Sequence, residues 1–508
     1  MTKKQFLYNL AFSIVALIAS TVINFILAPY IVKNVSAEAY GFVSLSTDFV
    51  TYLSLISVAV NSMAGRFVSI SLFKNDIEDA NVYFSSVFIT TTVISLVLIL
   101  PMLGTVLFID KFINISQEIQ VDIKFLFTFI FLNFLVTLVT SIFTVGTFVQ
   151  NKLYLTSIRS AESVLLRGLV IFVLFLAFKP RILFIGIATL VSGVYIALWN
   201  YRYTRKFSPN LRIKFKYFKV CAIKEVLSAG MWNTLIQVCF ILSTGLNLLI
   251  CNLFLGGTLM GILALSNTLP TAIVAFLSSF KQVFTPALMK QYATGVSMYD
   301  LFKKTHKIIS ILFCIPLGGF IVFGDIFYSL WVHDLDSRQL QILSVLSILP
   351  LTIFASTTLI NTIFVIQNRV KFQSMVLLGF GIIDLFTMII LVKFTKIGVY
   401  IIPGGSSVLN ILQNIIFTLP YGSKCLGKKW YELYVPAAQN LLCVIATCLI
   451  CLVVRWFITP NTWGSFIIIC AFSAVLSYIV VGMGMLSKSE KKYYFHVIKS
   501  KLLGGRNG

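Results

Sequence analysis

The chain has 508 residues, of which 58% are hydrophobic and only 11% are charged. Soluble globular proteins carry about 25% charged residues, so this composition excludes a soluble protein and makes a lipid bilayer the solvent for most of the surface. The first apolar run, from Gln5 to Val32, is longer than the apolar core of an export signal. We therefore expect it to remain as a membrane span.

Apolar runs long enough to cross a bilayer recur along the whole chain, since a transmembrane helix needs about 20 apolar residues. The first run is 6–32. Six later runs lack Asp, Glu, Lys and Arg: 80–109, 125–151, 182–201, 339–368, 397–423 and 464–487. Five weaker spans contain or border an ionisable residue: 40–64, 155–178, 308–331, 372–392 and 437–458. The run 226–280 is too long for one helix, and "LFLGGT" at 253–258 divides it in two, so we predict an all-α polytopic membrane protein with fourteen transmembrane helices.

The distribution of basic residues orients these helices. If both termini are cytoplasmic, 30 of the 40 Lys and Arg residues lie in cytoplasmic segments and nine lie outside. Cytoplasmic loops carry an excess of Lys and Arg. We therefore predict a multi-pass protein of a cytoplasmic membrane with both termini inside.

The stretch "YRYTRKFSPNLRIKFKYFKV", residues 201–220, holds seven Lys or Arg and no acid. The topology rule explains this charge as a cytoplasmic loop, and attraction to anionic inner-leaflet lipids is a second role. Nucleic acid is not an expected partner, because Tyr and Phe beside Lys and Arg fit a membrane interface equally well.

The basic loop also divides the chain. We predict four parts: an N-terminal six-helix lobe (1–201), a basic cytoplasmic loop between the lobes (202–224), a second six-helix lobe (225–423), and two extra helices with a basic cytoplasmic tail (424–508). A shift of 220 residues sets "YGFVSLST" at 40–47 against "MGILALSN" at 260–267 and pairs Gly41 with Gly261. This predicts a parallel repeat with a pseudo-twofold axis along the membrane normal, as transporters often have.

Cations within the spans are candidate substrate ligands, because ionisable groups in a bilayer are costly and usually face a partner or a cavity. Arg66 and Lys281 lie near the ends of helices 2 and 8, where they either snorkel to the interface or hold an anionic headgroup. Arg159 can pair with Glu162 on one face of helix 5. Arg167 lies deeper, and either pairs with Asp48 or Asp384 or faces a watery lumen.

Three acids within the spans, Asp48, Glu162 and Asp384, are candidate coupling sites for a proton or sodium ion. Each is equally compatible with a structural ion bridge. His306, His333 and His496 lie far apart in the sequence, so we expect no metal site and no other cofactor. No phosphate-binding loop, nucleophile elbow or pair of catalytic carboxylates is apparent, so we do not predict an enzyme.

The N-terminal stretch "NFILAPYIVKNVSAEAYGFVSLSTDFVTYLSLISVAVNSMAGRFVSI", residues 24–70, resembles the signature of bacterial polysaccharide flippases of the Wzx type. In these proteins a Pro-containing turn ends the first helix, a short "AEAYG" step follows, and the second helix ends in Asn and Arg. The helix count resembles the wider multidrug/oligosaccharidyl-lipid/polysaccharide exporter superfamily.

This resemblance implies two six-helix lobes around a cavity that opens alternately to each side of a bacterial inner membrane. The implied substrate is an O-antigen or capsule unit on undecaprenyl pyrophosphate, flipped to the outer leaflet. The implied partners are a polysaccharide polymerase and a chain-length regulator. Cationic lumen residues hold the headgroup in this family, and the matching candidates are Arg66, Arg159, Arg167 and Lys281.

Two other functions remain open on the sequence. The three acids within the spans fit a drug/cation antiporter of the same fold. A polymerase or acyltransferase of the same pathway is less compatible, because a polymerase is expected to have a large outside loop, and the longest outside stretch is about 110–124. Lipid II flippases carry arginines in their first helix, whereas no charge lies between Gln5 and Val32, which favours O-antigen or capsule units.

Overall fold

A computed structural model describes residues 3–150 and 152–485, and within these ranges the chain forms helices and short connections without a β-strand. Within these ranges fourteen helices are long and apolar enough to cross a membrane. This confirms the predicted helix number and the all-α polytopic class. The predicted basic tail, residues 486–508, lies outside the described residues.

The first seven long helices include two with irregular turns. They are α1 (Lys3–Asn34), α2 (Ala37–Phe73), α3 (Ile77–Phe112), α4 (Gln120–Thr140, continued by the 3₁₀ turn Ser141–Thr144 and by Val145–Val149), α5 (Leu153–Ala177), α6 (Leu183–Phe207) and α7 (Val220–Phe240, continued by the π turn Ile241–Gly245 and by Asn247–Leu255). Helices extend beyond the apolar runs where capping residues allow, and the Asp76 side chain accepts from the Asp79 backbone N–H (2.9 Å) to begin α3.

The second seven helices have similar lengths. They are α8 (Gly257–Ser266, continued by Thr268–Ala293), α9 (Met298–Trp331), α10 (Ser337–Phe354, continued by the 3₁₀ turn Ala355–Thr357 and followed by Leu359–Ile366), α11 (Val370–Phe394), α12 (Gly398–Tyr400, Ile401–Gln413, the π turn Asn414–Thr418 and Leu419–Cys425), α13 (Tyr434–Phe457) and α14 (Trp463–Met485). Short 3₁₀ turns at Gln117–Ile119 and Phe215–Tyr217 complete the set of helical elements in the part of the chain that the structure describes.

The predicted turn within 226–280 is confirmed. Helix α7 ends at Leu255, α8 begins at Gly257, and Gly256 between them has a φ of +94°. L-residues other than glycine rarely adopt this backbone conformation. The single glycine therefore reverses the chain in one residue.

The chain forms two compact units by its internal packing. The first comprises the described residues of Met1–Phe276 and Val370–Ser406, and the second those of Leu277–Arg369 and Ser407–Gly508. The first unit thus holds the six N-terminal helices, α7, α8 as far as Phe276, α11 and the beginning of α12. The predicted division into lobes at 1–201 and 225–423 stays a prediction.

Within the first unit, α2 and α8 approach each other backbone to backbone at their N-terminal ends. A Cβ atom added to Gly41 would lie 2.8 Å from Gly261 Cα, and one added to Gly261 would collide with the Ala37 carbonyl. Gly41 and Gly261 are the residues that the predicted repeat matches. Equivalent residues of a parallel repeat would meet where they lie on its twofold axis, and the repeat itself stays a prediction.

Within the second unit, α13 and α14 pack against α9. Buried apolar residues from the three helices form one cluster: Val322, Phe323, Cys451, Val454 and Ile469. The Arg455 guanidinium donates two hydrogen bonds to Asp325, with Nη1–Oδ1 at 2.8 Å and Nη2–Oδ2 at 2.6 Å. This bidentate pair fixes α13 against α9.

Candidate functional site

Arg167 is an intramembrane cation whose hydrogen-bonding groups are only partly satisfied. It lies in the middle of α5, and its Nη2 donates to Asn24 Oδ1 of α1 at 2.5 Å. Its Nε atom is buried and has no hydrogen-bond partner in the part of the chain that the structure describes. Among the described residues, neither Asp48 nor Asp384 forms an ion pair with Arg167. The described residues therefore do not show the ion pair that the sequence offered as one alternative for Arg167.

Close helix packing brings Arg167 to α1. A Cβ atom added to Gly168 would lie 3.4 Å from an Ile23 methyl group, so the two helices meet at this level. Tyr40 of α2 is near enough to interact electrostatically with Arg167. The Tyr40 hydroxyl is 3.1 Å from Thr268 Oγ1 of α8. The two neighbours of Arg167 that these contacts identify, Asn24 and Tyr40, carry neutral polar groups and no carboxylate.

Arg159, two turns earlier on α5, has the opposite environment. The predicted pair with Glu162 is confirmed, with Arg159 Nη1 2.5 Å from Glu162 Oε2. Arg159 Nε donates to the Tyr203 hydroxyl at 2.9 Å, and the guanidinium lies 3.8 Å from the centroid of the Trp199 ring. The Tyr195 hydroxyl donates to Glu162 as well. The Arg159 guanidinium is therefore paired with side chains of the protein itself.

The aromatic partners of Arg159 form a ladder along α6. Neighbouring rings of Tyr195, Trp199, Tyr203 and Phe207 lie 5.4–6.4 Å apart, centroid to centroid. Four aromatic residues at every fourth position put their rings on one face of a helix. The spacing of these aromatic residues is visible in the sequence. That their rings face Arg159 is seen only in the structure, where α5 packs beside α6.

Arg66 and Lys281 belong to different units. Arg66 is exposed on α2, seven residues before the helix ends at Phe73. Lys281 is half-buried on α8, and the helix continues beyond it to Ala293. No ion pair to either cation is found among the residues that the structure describes. Their role as substrate ligands stays a prediction.

Two of the three predicted coupling acids lack a cationic partner within the described ranges. Asp48 is half-buried on α2, one turn before Tyr52, whose hydroxyl donates to the Gly245 carbonyl at the end of the π turn in α7 (2.6 Å). Asp384 on α11 is only 4% exposed and accepts from Ser406 Oγ of α12 at 3.2 Å. Glu162, by contrast, is neutralised by Arg159.

Several polar partners escaped prediction because they lie far apart in sequence. Asn24 is 143 residues from Arg167, and Asp325 is 130 residues from Arg455. Outside the spans, Arg181 Nε donates to Asp122 Oδ1 at 3.0 Å, which raises the pKa of the Arg181 guanidinium above its ordinary value. No cluster of three or more His, Cys, Asp or Glu residues suited to a metal ion occurs in the described ranges.

The fold defines an all-α multi-pass membrane protein with charged side chains inside its spans. A structure of the lipid II flippase MurJ in an inward closed conformation matches with a TM-score of 0.68 and 14% identity, covering 96% of this chain and 99% of that one. An inward-facing MATE family transporter of the MOP superfamily matches with a TM-score of 0.59 and 14% identity, covering 82% and 98%. At these identities the likeness shows a shared fold, and the predicted superfamily fold is confirmed.

The family model for "Polysaccharide biosynthesis protein" matches residues 6–292, more than half of the chain, and the chain belongs to this family. The "Uncharacterized membrane protein EpsK" of Bacillus subtilis (strain 168) is 26% identical over 468 residues, which cover 91% of this chain and 92% of that protein. The predicted resemblance to polysaccharide flippases is therefore confirmed at the level of the family and fold. The Wzx type stays a prediction.

Proposed function

We propose that the protein flips a lipid-linked oligosaccharide, an O-antigen or capsule unit on undecaprenyl pyrophosphate, from the inner to the outer leaflet of a bacterial cytoplasmic membrane by alternating access. The observation that carries the proposal is Arg167, a cation within a membrane helix that has a buried Nε donor without a partner among the described residues. The family and the fold shared with MurJ support the same class of substrate.

Arg167 has a free-energy cost within the membrane. Arginine stays protonated in proteins, and at the centre of a membrane helix it costs about 2.5–3.5 kcal/mol on insertion scales. A buried donor without a partner adds to this cost. A pyrophosphate oxygen would satisfy Nε and Nη together in a bidentate contact. A substrate anion therefore explains why an arginine stands where Asn24 is its one direct partner among the described residues.

The other cations take different roles in this proposal. Arg159 is held by Glu162 and the α6 aromatic residues, so it contributes a positive electrostatic field and the shape of the site. Arg66 and Lys281 supply further contacts to the headgroup as the substrate passes. Asp48 and Asp384, which lack a cationic partner in the described ranges, couple transport to a proton or sodium ion. A polysaccharide polymerase and a chain-length regulator receive the product outside.

The test is complementation of a deletion in the native host, scored for surface glycan and for lipid-linked intermediates on the cytoplasmic side. We expect Arg167→Ala to lose surface glycan and trap intermediates, and Arg167→Lys to restore it only in part, because lysine keeps the charge without the planar fork. Arg338→Ala is the matched control, since Arg338 is an exposed arginine in the first turn of α10, at the very end of that span. Normal glycan in the Arg167→Ala strain would contradict the proposal.

A drug/cation antiporter is the second candidate. The observation in its favour is the pair of membrane carboxylates without cationic partners in the described ranges, Asp48 and Asp384, since carboxylates attract cationic drugs and protons alike. In the deletion strain this function predicts normal surface glycan with altered efflux of cationic dyes. Asp48→Asn and Asp384→Asn would then abolish efflux, whereas Arg167→Ala would not.

A further inference from the structure

The segment between α6 and α7 is fixed to the first unit rather than being a free linker. Three buried polar residues of α3, Asn81, Ser85 and Ser86, hold its backbone. Arg212 N–H donates to Asn81 Oδ1 (2.6 Å), and Asn81 Nδ2 donates to the Asn210 carbonyl (3.3 Å). The sequence alone predicted a loop here but no such attachment.

The attachment continues along the segment. Ser85 Oγ donates to the Arg212 carbonyl (3.0 Å) and accepts from Lys214 N–H (3.3 Å). Ser86 Oγ accepts from Lys219 N–H at 2.9 Å and donates to the Tyr217 carbonyl at 3.4 Å. Leu211 is buried in the core cluster beside α3. The backbone of 210–219 is thus held at both ends and in the middle.

With the backbone held, the side chains face outward. Arg212, Lys214, Lys216 and Lys219 are all exposed, and none forms an ion pair within the part of the chain that the structure describes. Phe215, between two of the lysines, is 85% exposed. A fixed row of unpaired cations around a protruding phenyl ring is unusual on a surface that meets only water.

The position of the segment identifies the surface that it meets. It joins the end of one membrane span at Phe207 to the start of the next at Val220, so its side chains lie at the level of the lipid headgroups. Lys and Arg there are attracted to anionic lipids, and aromatic rings favour the same layer.

We propose that residues 210–219 are a docking surface for anionic phospholipid headgroups, with Phe215 inserted among the acyl chains beneath them. Arg212, Lys214, Lys216 and Lys219 contact lipid phosphates, and the α3 polar residues hold the backbone that carries these cations. This surface is independent of the transported substrate. It ties the N-terminal helices to the membrane plane by the segment that connects the predicted lobes.

The test measures the affinity of phosphatidylglycerol and phosphatidylcholine for the purified full chain by native mass spectrometry. The test variant carries Lys214→Gln, Lys216→Gln and Lys219→Gln. The matched control carries Lys290→Gln, Lys303→Gln and Lys304→Gln, which removes three exposed lysines elsewhere. The test variant should fold, because α3 holds the backbone of this segment and not its lysine side chains.

We expect the test variant to bind phosphatidylglycerol roughly tenfold more weakly or worse at low salt, while the control variant and phosphatidylcholine binding change little. Phe215→Ser should weaken both lipids, because it removes the inserted ring and leaves the charge. Equal losses in test and control variants would overturn the proposal. Unchanged selectivity between the two lipids in the test variant would also overturn it. The proposal would fail in the same way if the test variant kept its lipid selectivity and lost binding to an RNA oligonucleotide instead.

Discussion

Arg159 and Arg167 lie two turns apart on α5, and their surroundings distinguish a cation that the protein itself pairs from the cation that we propose as a substrate ligand. Arg159 has a carboxylate, a tyrosine hydroxyl and an indole ring as partners. Arg167 has one amide oxygen and a buried Nε without a partner in the described ranges. The i,i+3 spacing predicted the first pair because both residues belong to one helix. No local pattern could reveal the Asn24 contact, because it depends on how α1 packs against α5.

Replacing Arg167 should separate stability from transport. We expect Arg167→Met to raise the unfolding free energy in detergent by about 1–3 kcal/mol, because an unsatisfied buried donor disappears while the volume is retained. Transport should be lost in the same variant. Thermal unfolding and complementation measure the two effects, and a lower melting temperature would show that Arg167 is instead a structural residue.

Replacing Arg159 should lower stability, in contrast to replacing Arg167. We expect Arg159→Ala to lower the unfolding free energy by about 1–2 kcal/mol, because Glu162 and Trp199 lose their cationic partner. Arg202→Ala is the control, since Arg202 is exposed and its guanidinium lies farther from Trp199, at 5.4 Å. The double variant Arg159→Ala/Glu162→Ala should recover part of the loss, and a strictly additive loss would argue against the pair as its cause.

At the scale of elements, the membrane spans could be predicted from the sequence, but the irregular turns within them could not. Apolar runs marked the helices because a bilayer requires them, and the glycines of "LFLGGT" marked the α7–α8 turn because only glycine readily adopts the positive φ found at Gly256. The π turn Ile241–Gly245 carried no such signal. Its one visible correlate is tertiary, since Gly245 accepts a hydrogen bond from Tyr52 of α2.

The close contact of α2 with α8 requires glycine, which has no side chain, at Gly41 and Gly261. We expect Gly41→Ala and Gly261→Ala each to lower the unfolding free energy by about 1–3 kcal/mol, because the added methyl group meets backbone atoms that cannot move aside. Gly104→Ala in α3 is the control, since nothing lies within 4 Å of the added Cβ. That control should be neutral or slightly stabilising, so equal effects at all three glycines would contradict the role of the contact.

At the scale of the whole molecule, the end at which α2 begins and α7 ends is tied together by polar contacts. Buried Glu38 accepts from Ser116 N–H at 3.0 Å and from Ser116 Oγ at 2.5 Å. Asn114 and Asn252 bond reciprocally, with Asn114 N–H to Asn252 Oδ1 at 2.8 Å and Asn252 Nδ2 to the Asn114 carbonyl at 3.0 Å. In the proposed orientation this is the outer end, and the proposed alternating access predicts that these contacts separate when a substrate is released outward.

A reversible crosslink tests this requirement. A Cβ added to Gly257 would lie 2.9 Å from Glu38 Cγ. One further carbon–carbon bond separates Glu38 Cβ from that atom, so the two Cβ atoms lie within about 4.5 Å, the range of a disulfide. We expect the double variant Glu38→Cys/Gly257→Cys to lose transport under oxidising conditions and to regain it with dithiothreitol. The single variant Glu38→Cys controls for the lost Ser116 contacts, and Gly257→Cys controls for the crowded glycine. Transport that persists in a fully crosslinked protein would show that α2 and α8 need not separate at this end.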